Sequence, residues 1–188
     1  MSQQRQTELN TIIYPLYAAR LYLDDVPGTT GHIDVSIING VKLAFVAHAY
    51  RGDVYSTTTA SVYAIDFEIT MQSIEDALLH KEPVTIELTM SSNYAKVRKE
   101  STIVFVRNEA GIWAVNIRAT DKPSIKVEFK GIRASSHSVK GVPPDSVTLS
   151  ARHFKAWLKI LENSMAVAAA IHGHSNERVL LPRENMPA

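Results

Sequence analysis

The side chains best suited to chemistry in this sequence are cations of its second half, which could bind a phosphate backbone. Tyr94 lies beside Lys96, Arg98 and Lys99, and more cations follow along the chain: Arg107, Arg118, Lys122, Lys126, Lys130, Arg133 and Lys140. Residues 84–140 carry 10 Lys and Arg against 5 Asp and Glu. A cation that meets a phosphate releases a condensed counterion, and a tyrosine in a polar, basic stretch can stack on a base.

The charge of the chain is divided unequally along its length. Residues 1–83 carry 5 Lys and Arg against 10 Asp and Glu, whereas residues 84–188 carry 15 against 9. A basic surface attracts polyanions, and an acidic one repels them or meets a basic protein. The alternative interpretation is that the cations are spread over a solvated face, and charge counts alone do not separate the two.

Other kinds of site have weak support in the sequence. It has no cysteine, which excludes a thiolate zinc site and a cysteine nucleophile. It has no nucleophile elbow and no phosphate-binding glycine loop, so we expect no catalytic residues and no cofactor. His172 and His174, with His153, could offer imidazoles to a metal, but without a nearby carboxylate we expect no metal site there. A third hypothesis is a small enzyme whose site is assembled from distant residues, and its one indication is a pair of exposed acids, Asp66 and Glu68, on one predicted strand.

Several segments must position these residues. Alternation of apolar and polar residues predicts strands at 41–50, 61–70, 84–90 and 124–130. The turns Asn39-Gly40 and 108–111 predict hairpins that join 32–38 to the segment from 41 and 101–107 to 112–118. Alternation then places Lys126 and Lys130 on one face of their strand. It places Arg118 and Trp113 on opposite faces of the strand 112–118. The segment 133–144, rich in Ser and Gly, is expected to be a flexible basic loop, with a plain surface loop as the alternative.

Two helices complete the expected fold. A short one follows Ser73 as its cap and ends near residue 81. A long one follows Ser150, buries a stripe that includes Phe154, Trp157 and Leu161, and ends at Gly173. Residues 10–23 fit either a helix or a strand.

These elements predict an α+β fold with antiparallel sheets and one short and one long C-terminal packing helix. Each half would be a sheet closed by one helix. Residues 1–171 would form a single domain, and residues 172–188 a flexible tail. No apolar stretch of the chain reaches the roughly 18 residues of a membrane span, and the chain begins with a polar segment. We therefore expect a cytoplasmic protein without a membrane contact.

The basic strand and loop of residues 124–133, and the segment 147–150 that leads into an amphipathic helix from residue 151, resemble single-stranded DNA-binding proteins of the transcriptional positive-coactivator and Whirly type. The similarity covers about a third of the chain. The acidic and basic halves and the lack of cysteine are also similar to bacteriophage proteins, as in the N4-like viruses, that coat single-stranded DNA and act as cofactors of a phage RNA polymerase. These resemblances imply sequence-independent DNA binding, self-association, recruitment of an RNA polymerase, and a location in the host cytoplasm if the protein is viral.

The sequence therefore predicts a non-enzymatic protein that binds single-stranded DNA and forms homo-oligomers. The expected DNA-binding residues are Tyr94, Lys96, Arg98, Lys99, Arg107, Arg118, Lys126, Lys130, Arg133 and Lys140. The alternative is a protein-interaction module, such as a viral inhibitor or assembly factor, that uses the acidic first half and an apolar helix face and binds no nucleic acid.

Overall fold

The computed structural model describes residues 12–23, 29–94, 97–129 and 145–180 of the chain. Within these residues, two antiparallel sheets are each followed by a helix. This arrangement confirms the predicted α+β class, with a shorter first helix and a long C-terminal one.

Sheet A is formed by the first part of the chain. Its strands are β1 (Ile13–Pro15), β2 (Leu21–Leu23), β3 (Thr29–Ile38), β4 (Lys42–Arg51) and β5 (Val54–Tyr63). β3, β4 and β5 are neighbours in that order, and both β1 and β2 pair with β3. A short 3-10 turn at Tyr17–Ala19 separates β1 from β2, so the ambiguous segment 10–23 contains two short strands where it is described. Helix α1 (Ala64–Leu79) follows β5 directly.

Sheet B is formed by the second part of the chain. It contains β6 (Val84–Tyr94), β7 (Val97–Arg107), β8 (Trp113–Ala119) and β9 (Ile125–Glu128), paired in sequence order. Helix α2 (Ser146–Leu180) comes last. The predicted strands at 84–90, 101–107 and 112–118 are confirmed, and the one at 124–130 is shorter than predicted.

Both sheets and both helices contribute to one hydrophobic core. Alternate residues of the strands face inward, and they meet a cluster of aromatic rings from both sheets and both helices. Phe45 of sheet A and Phe105 of sheet B each lie within 6.4 Å of the Trp157 ring of α2. The Trp157 indole also donates a hydrogen bond of 2.7 Å to the carbonyl of Ala19. α2 therefore holds the two sheets together as well as covering sheet B.

The predicted strand at 61–70 is wrong beyond residue 63, because α1 begins at Ala64. The apolar residues of this segment fit both the period of a strand and the period of a helix. In the helix, Phe67, Met71 and Ile74 are buried, whereas Ile65 and Ile69 are 66% and 60% exposed. Burial at positions i, i+4 and i+7 is the helical period. The prediction that the first helix starts after Ser73 is wrong for the same reason.

The predicted ends of the long helix are also wrong. The Asp145 carboxylate accepts a hydrogen bond of 2.7 Å from the Thr148 amide and so caps the helix. This bond lowers the pKa of Asp145. Ser150 is buried within the helix, where its hydroxyl accepts a hydrogen bond of 2.8 Å from the Trp113 amide. The helical backbone continues through Gly173 to Leu180. Within the described residues, neither helix has a stretch both long and apolar enough to cross a membrane.

The turn between β3 and β4 is one residue longer than predicted. Asn39 and Gly40 both have positive φ, 51° and 67°, as expected for a tight hairpin turn. However, Ile38 pairs with Lys42, so Val41 also belongs to the turn. The extra residue places His32 directly opposite His48.

Candidate functional site

Three of the predicted DNA-binding cations lie on the face of sheet B that points away from the core, and each has a carboxylate partner. The pairs are Arg98–Glu100 at 2.8 Å, Arg118–Glu87 at 3.4 Å and Lys126–Glu128 at 3.2 Å. Exposed ion pairs of this kind are worth about 0–1 kcal/mol, so they can exchange partners. Their charges nevertheless cancel, and these residues do not make this face a basic surface.

A fourth predicted cation, Arg107, has a structural position. Its side chain is on the inward face of β7 and Arg107 is only 6% exposed. Its guanidinium donates hydrogen bonds to the carbonyls of Ala77, His80 and Glu82, and it lies 5.2 Å from the centre of the Trp113 ring. Arg107 thus fixes the C-terminal end of α1, and its guanidinium is occupied by these carbonyls.

The remaining predicted residues are only partly described. Lys99 is exposed on β7. Tyr94 ends β6, where its backbone pairs with Val97, but its side chain lies outside the described residues. Lys96, Lys130, Arg133 and Lys140 lie outside them as well, as does the predicted loop at 133–144.

Sheet A carries aromatic rings on its outward face that the sequence analysis did not single out. The rings follow one another across β2, β3, β4 and β5 in the order Tyr22, His32, His48, Tyr55 and Tyr50, which we call the aromatic row. Successive ring centres are 6.3, 4.7, 6.1 and 4.9 Å apart. The three tyrosines are 45–49% exposed. The row is therefore a series of neighbouring rings in which the three tyrosines are open to solvent and the two histidines are half-buried.

The charge around the aromatic row differs from that of the first half as a whole. The described strands of sheet A contain one acid, Asp34, against Lys42 and Arg51. Lys42 lies 4.7 Å from the centre of the Tyr63 ring, at the opposite end of β4 from Tyr50. Of the seven acids that the structure describes in this half, four lie on α1 and are exposed: Asp66, Glu68, Glu75 and Asp76. Asp53 lies in the turn between β4 and β5, close to Arg51 in the chain.

A cluster of polar side chains occupies the middle of the aromatic row. His32 and Asp34 are two residues apart on β3, and His48 faces His32 from β4. The Nε2 atoms of His32 and His48 lie 3.3 and 3.9 Å from the same carboxylate oxygen, Asp34 Oδ2. All three side chains are half-buried, at 23–31% exposed.

Two neighbours hold this cluster in place. Arg20 Nε donates a hydrogen bond of 2.5 Å to Asp34 Oδ1, and Arg20 Nη2 lies 3.2 Å from Oδ2. The Tyr55 hydroxyl is 2.7 Å from His48 Nδ1. Burial, then the nearby His32, lower the pKa of His48, which favours the neutral imidazole at pH 7.

The histidines and acids considered in the sequence analysis have other surroundings. His153 is half-buried with its ring edge-on to Phe129, 5.3 Å between centres, and burial lowers its pKa. The side chains of His172 and His174 lie outside the described residues. Asp66 lines a cleft of about 490 Å³ between β5, α1 and β6, whereas Glu68 does not line it. Both acids lie on α1. The enzyme hypothesis placed them on the predicted strand 61–70, and that placement is wrong.

Comparisons of this chain with protein families, with curated proteins and with solved structures find no match. The assignment of function therefore depends on the geometry of the surfaces described above.

Proposed function

We propose that this protein binds single-stranded DNA without sequence specificity, and that bases stack on the aromatic row of sheet A. The observation that carries the proposal is a continuous series of five rings across four strands, with Tyr22, Tyr50 and Tyr55 open to solvent. Stacking of a base on an aromatic side chain contributes about 1–3 kcal/mol and tolerates every base, because each base has a π face. Exposed rings on an open sheet are also how the commonest single-stranded RNA-binding domain holds its ligand.

Few of the described cations lie near the row. Arg20 lies beside the cluster at the middle of the row, Lys42 lies on the same face but at the far end of β4, and Arg51 is placed by strand alternation on the other face. Only Arg20 of these three is paired with a carboxylate in the described contacts. We therefore expect a small number of phosphate contacts and a modest dependence on salt.

The choice between single-stranded and duplex DNA follows from the same geometry. A base can stack on Tyr50 or Tyr55 only when it is unpaired and turned away from its own helix. The rings lie on a sheet surface rather than on a projecting helix that could enter a major groove. We thus expect the chain to prefer single strands and to show little preference among sequences.

The proposal is tested by titrating the protein into labelled single-stranded and matched duplex oligonucleotides over a series of salt concentrations. We expect tighter binding to the single strand. The slope of log K against log salt should lie between roughly −1 and −3, because each phosphate contact to a single strand contributes about −0.7. Equal or tighter binding to the duplex would contradict the proposal. A chain that binds neither form at low salt would favour the second candidate below.

A protein-interaction module is the second candidate, and one observation favours it. α1 exposes Ile65, Ile69 and Leu79, beside the four acids of that helix. An exposed apolar stripe rimmed by carboxylates fits a partner with a basic rim and an apolar centre. The aromatic row would have no role in such a contact, so the titration above separates the two candidates.

A further inference from the structure

The cluster at the middle of the aromatic row has the donor chemistry of a transition-metal site. It offers two imidazole nitrogens and one carboxylate oxygen, from His32, His48 and Asp34, with ligand atoms all within 4.8 Å of one another. Imidazole suits zinc, copper, iron and nickel, and sites of three protein ligands commonly leave a fourth position to water. We propose that these three residues bind one divalent transition-metal ion of the zinc class, independently of any nucleic acid.

The distances within the cluster are close to those that such an ion requires. Zinc lies about 2.0–2.2 Å from nitrogen and oxygen ligands, so two ligands of a tetrahedral site are about 3.3 Å apart. The separation of His32 Nε2 from Asp34 Oδ2 is 3.3 Å, and that of His48 Nε2 from the same oxygen is 3.9 Å. All three ligand atoms lie within 4.8 Å of one another, so side-chain rotations have to shorten the longer separations when an ion binds.

The register of the strands brings the three ligand side chains together. His32 and His48 are directly opposite each other in the register of β3 and β4, and Asp34 lies two residues from His32 on the same face. Both strands are internal to sheet A, with neighbours on each side. A site whose ligands come from paired, internal strands is held more rigidly than one on loops.

The surrounding groups orient the ligands. The Tyr55 hydroxyl lies 2.7 Å from His48 Nδ1, so it can accept the Nδ1 proton and leave the lone pair on Nε2, which faces the cluster. Arg20 Nε holds the other carboxylate oxygen, Oδ1. Its Nη2 atom, 3.2 Å from Oδ2, would have to move aside when an ion occupies the site. Three protein ligands leave the fourth position to water or to an oxygen of a ligand on the solvent side.

The experiment uses the full chain, treated with a chelator and then titrated with zinc chloride by calorimetry in the absence of nucleic acid. Co²⁺ is the second probe, because four-coordinate cobalt gives visible absorption bands. We expect one equivalent of Zn²⁺ for the parent chain and loss of that equivalent in His32→Ala and in His48→Ala. Tyr55→Phe keeps every ligand but removes the orienting hydroxyl, so it should weaken binding about 10–100-fold.

Two control variants separate this site from other histidines. His80→Ala removes an exposed imidazole outside the cluster, and His172→Ala with His174→Ala removes the pair near the C-terminus. Both should keep one equivalent of Zn²⁺ and the cobalt bands. Absence of stoichiometric binding by the parent chain would overturn the proposal, as would loss of binding in the His172/His174 variant but not in His48→Ala. Circular dichroism of each variant shows whether its fold is intact, and Tyr55→Phe tests the site if a histidine variant does not fold.

Discussion

Both sheets are antiparallel and each is followed by a helix, but their outward faces are very different. On sheet A, residues Tyr22, Tyr50 and Tyr55 form a row with two histidines, and among the residues that the structure describes, Asp34 is the one carboxylate on these strands. On sheet B, the outward residues include threonines on neighbouring strands and three ion pairs. One face therefore offers rings and metal-type ligands, whereas the charged groups of the other neutralise one another.

This difference shows that the net charge of a chain segment does not predict the charge of a surface. The first half is acidic in sequence, yet its described acids lie mainly on α1, away from the aromatic row. The second half is basic in sequence, yet three of its cations are paired across or along strands with carboxylates. Two of these pairs, Arg98–Glu100 and Lys126–Glu128, join residues two apart on one strand, and the third joins β8 to β6. Neighbours on the same face of the sheet, along a strand or across strands, therefore determine which charges remain available to a ligand.

The largest predicted effect is on the free energy of unfolding, and it appears when two arginines of sheet B are replaced in turn. Arg107→Met removes a buried guanidinium that donates to three part-buried carbonyls at the end of α1. We expect it to lower the free energy of unfolding by roughly 3 kcal/mol, because these carbonyls lose a charged donor. Arg118→Met, on the outward face, should change it by less than about 0.5 kcal/mol. Urea denaturation of both variants measures the difference. Similar losses in the two variants would contradict the structural role assigned to Arg107.

Much of the fold follows from local sequence patterns. β6, β7 and β8 alternate between apolar and polar residues over 84–90, 101–107 and 113–118, and the turn between β7 and β8 contains Asn108 and Gly111. The segment 61–70 was misread because Ile65, Phe67 and Ile69 alternate like a strand while Phe67, Met71 and Ile74 repeat like a helix. Only packing against Phe45 and Phe105 decides between the two periods. The cap at Ser150 was misread because Asp145, five residues earlier, caps the helix instead.

The candidate site was much harder to predict than the fold. His32, Asp34 and His48 come together only through the register of the β3–β4 hairpin, and that register depends on Val41 being part of the turn. With a turn of two residues, His32 would face Ala47. The spacing of His32 and Asp34 on one strand is the signal that could have been noticed. Their partner on the next strand cannot be identified from sequence until the turn length is known.

The next prediction tests the aromatic row directly. Tyr50→Ala combined with Tyr55→Ala should weaken binding to a single-stranded oligonucleotide by about 30-fold or more, since each stacked base contributes about 1–3 kcal/mol. The slope of log K against log salt should stay the same, because stacking releases no counterions. Tyr17→Ala is the control, since Tyr17 is an exposed tyrosine outside the row. Fluorescence anisotropy measures both quantities, and an equal loss in the Tyr17 variant would remove the row from the interface.

The smallest predicted effect concerns the outward face of sheet B. Arg98, Arg118 and Lys126 are each neutralised by a carboxylate, so replacing all three by Gln should weaken binding less than about threefold at 0.2 M salt, where long-range charge effects are screened to about 7–8 Å. If these side chains instead contacted phosphates, their removal would reduce the magnitude of the salt slope by about 2, at roughly 0.7 for each contact. The same anisotropy titration over several salt concentrations measures this change. A reduction of that size would mean that the DNA displaces the three carboxylates and that sheet B, as well as sheet A, forms the interface.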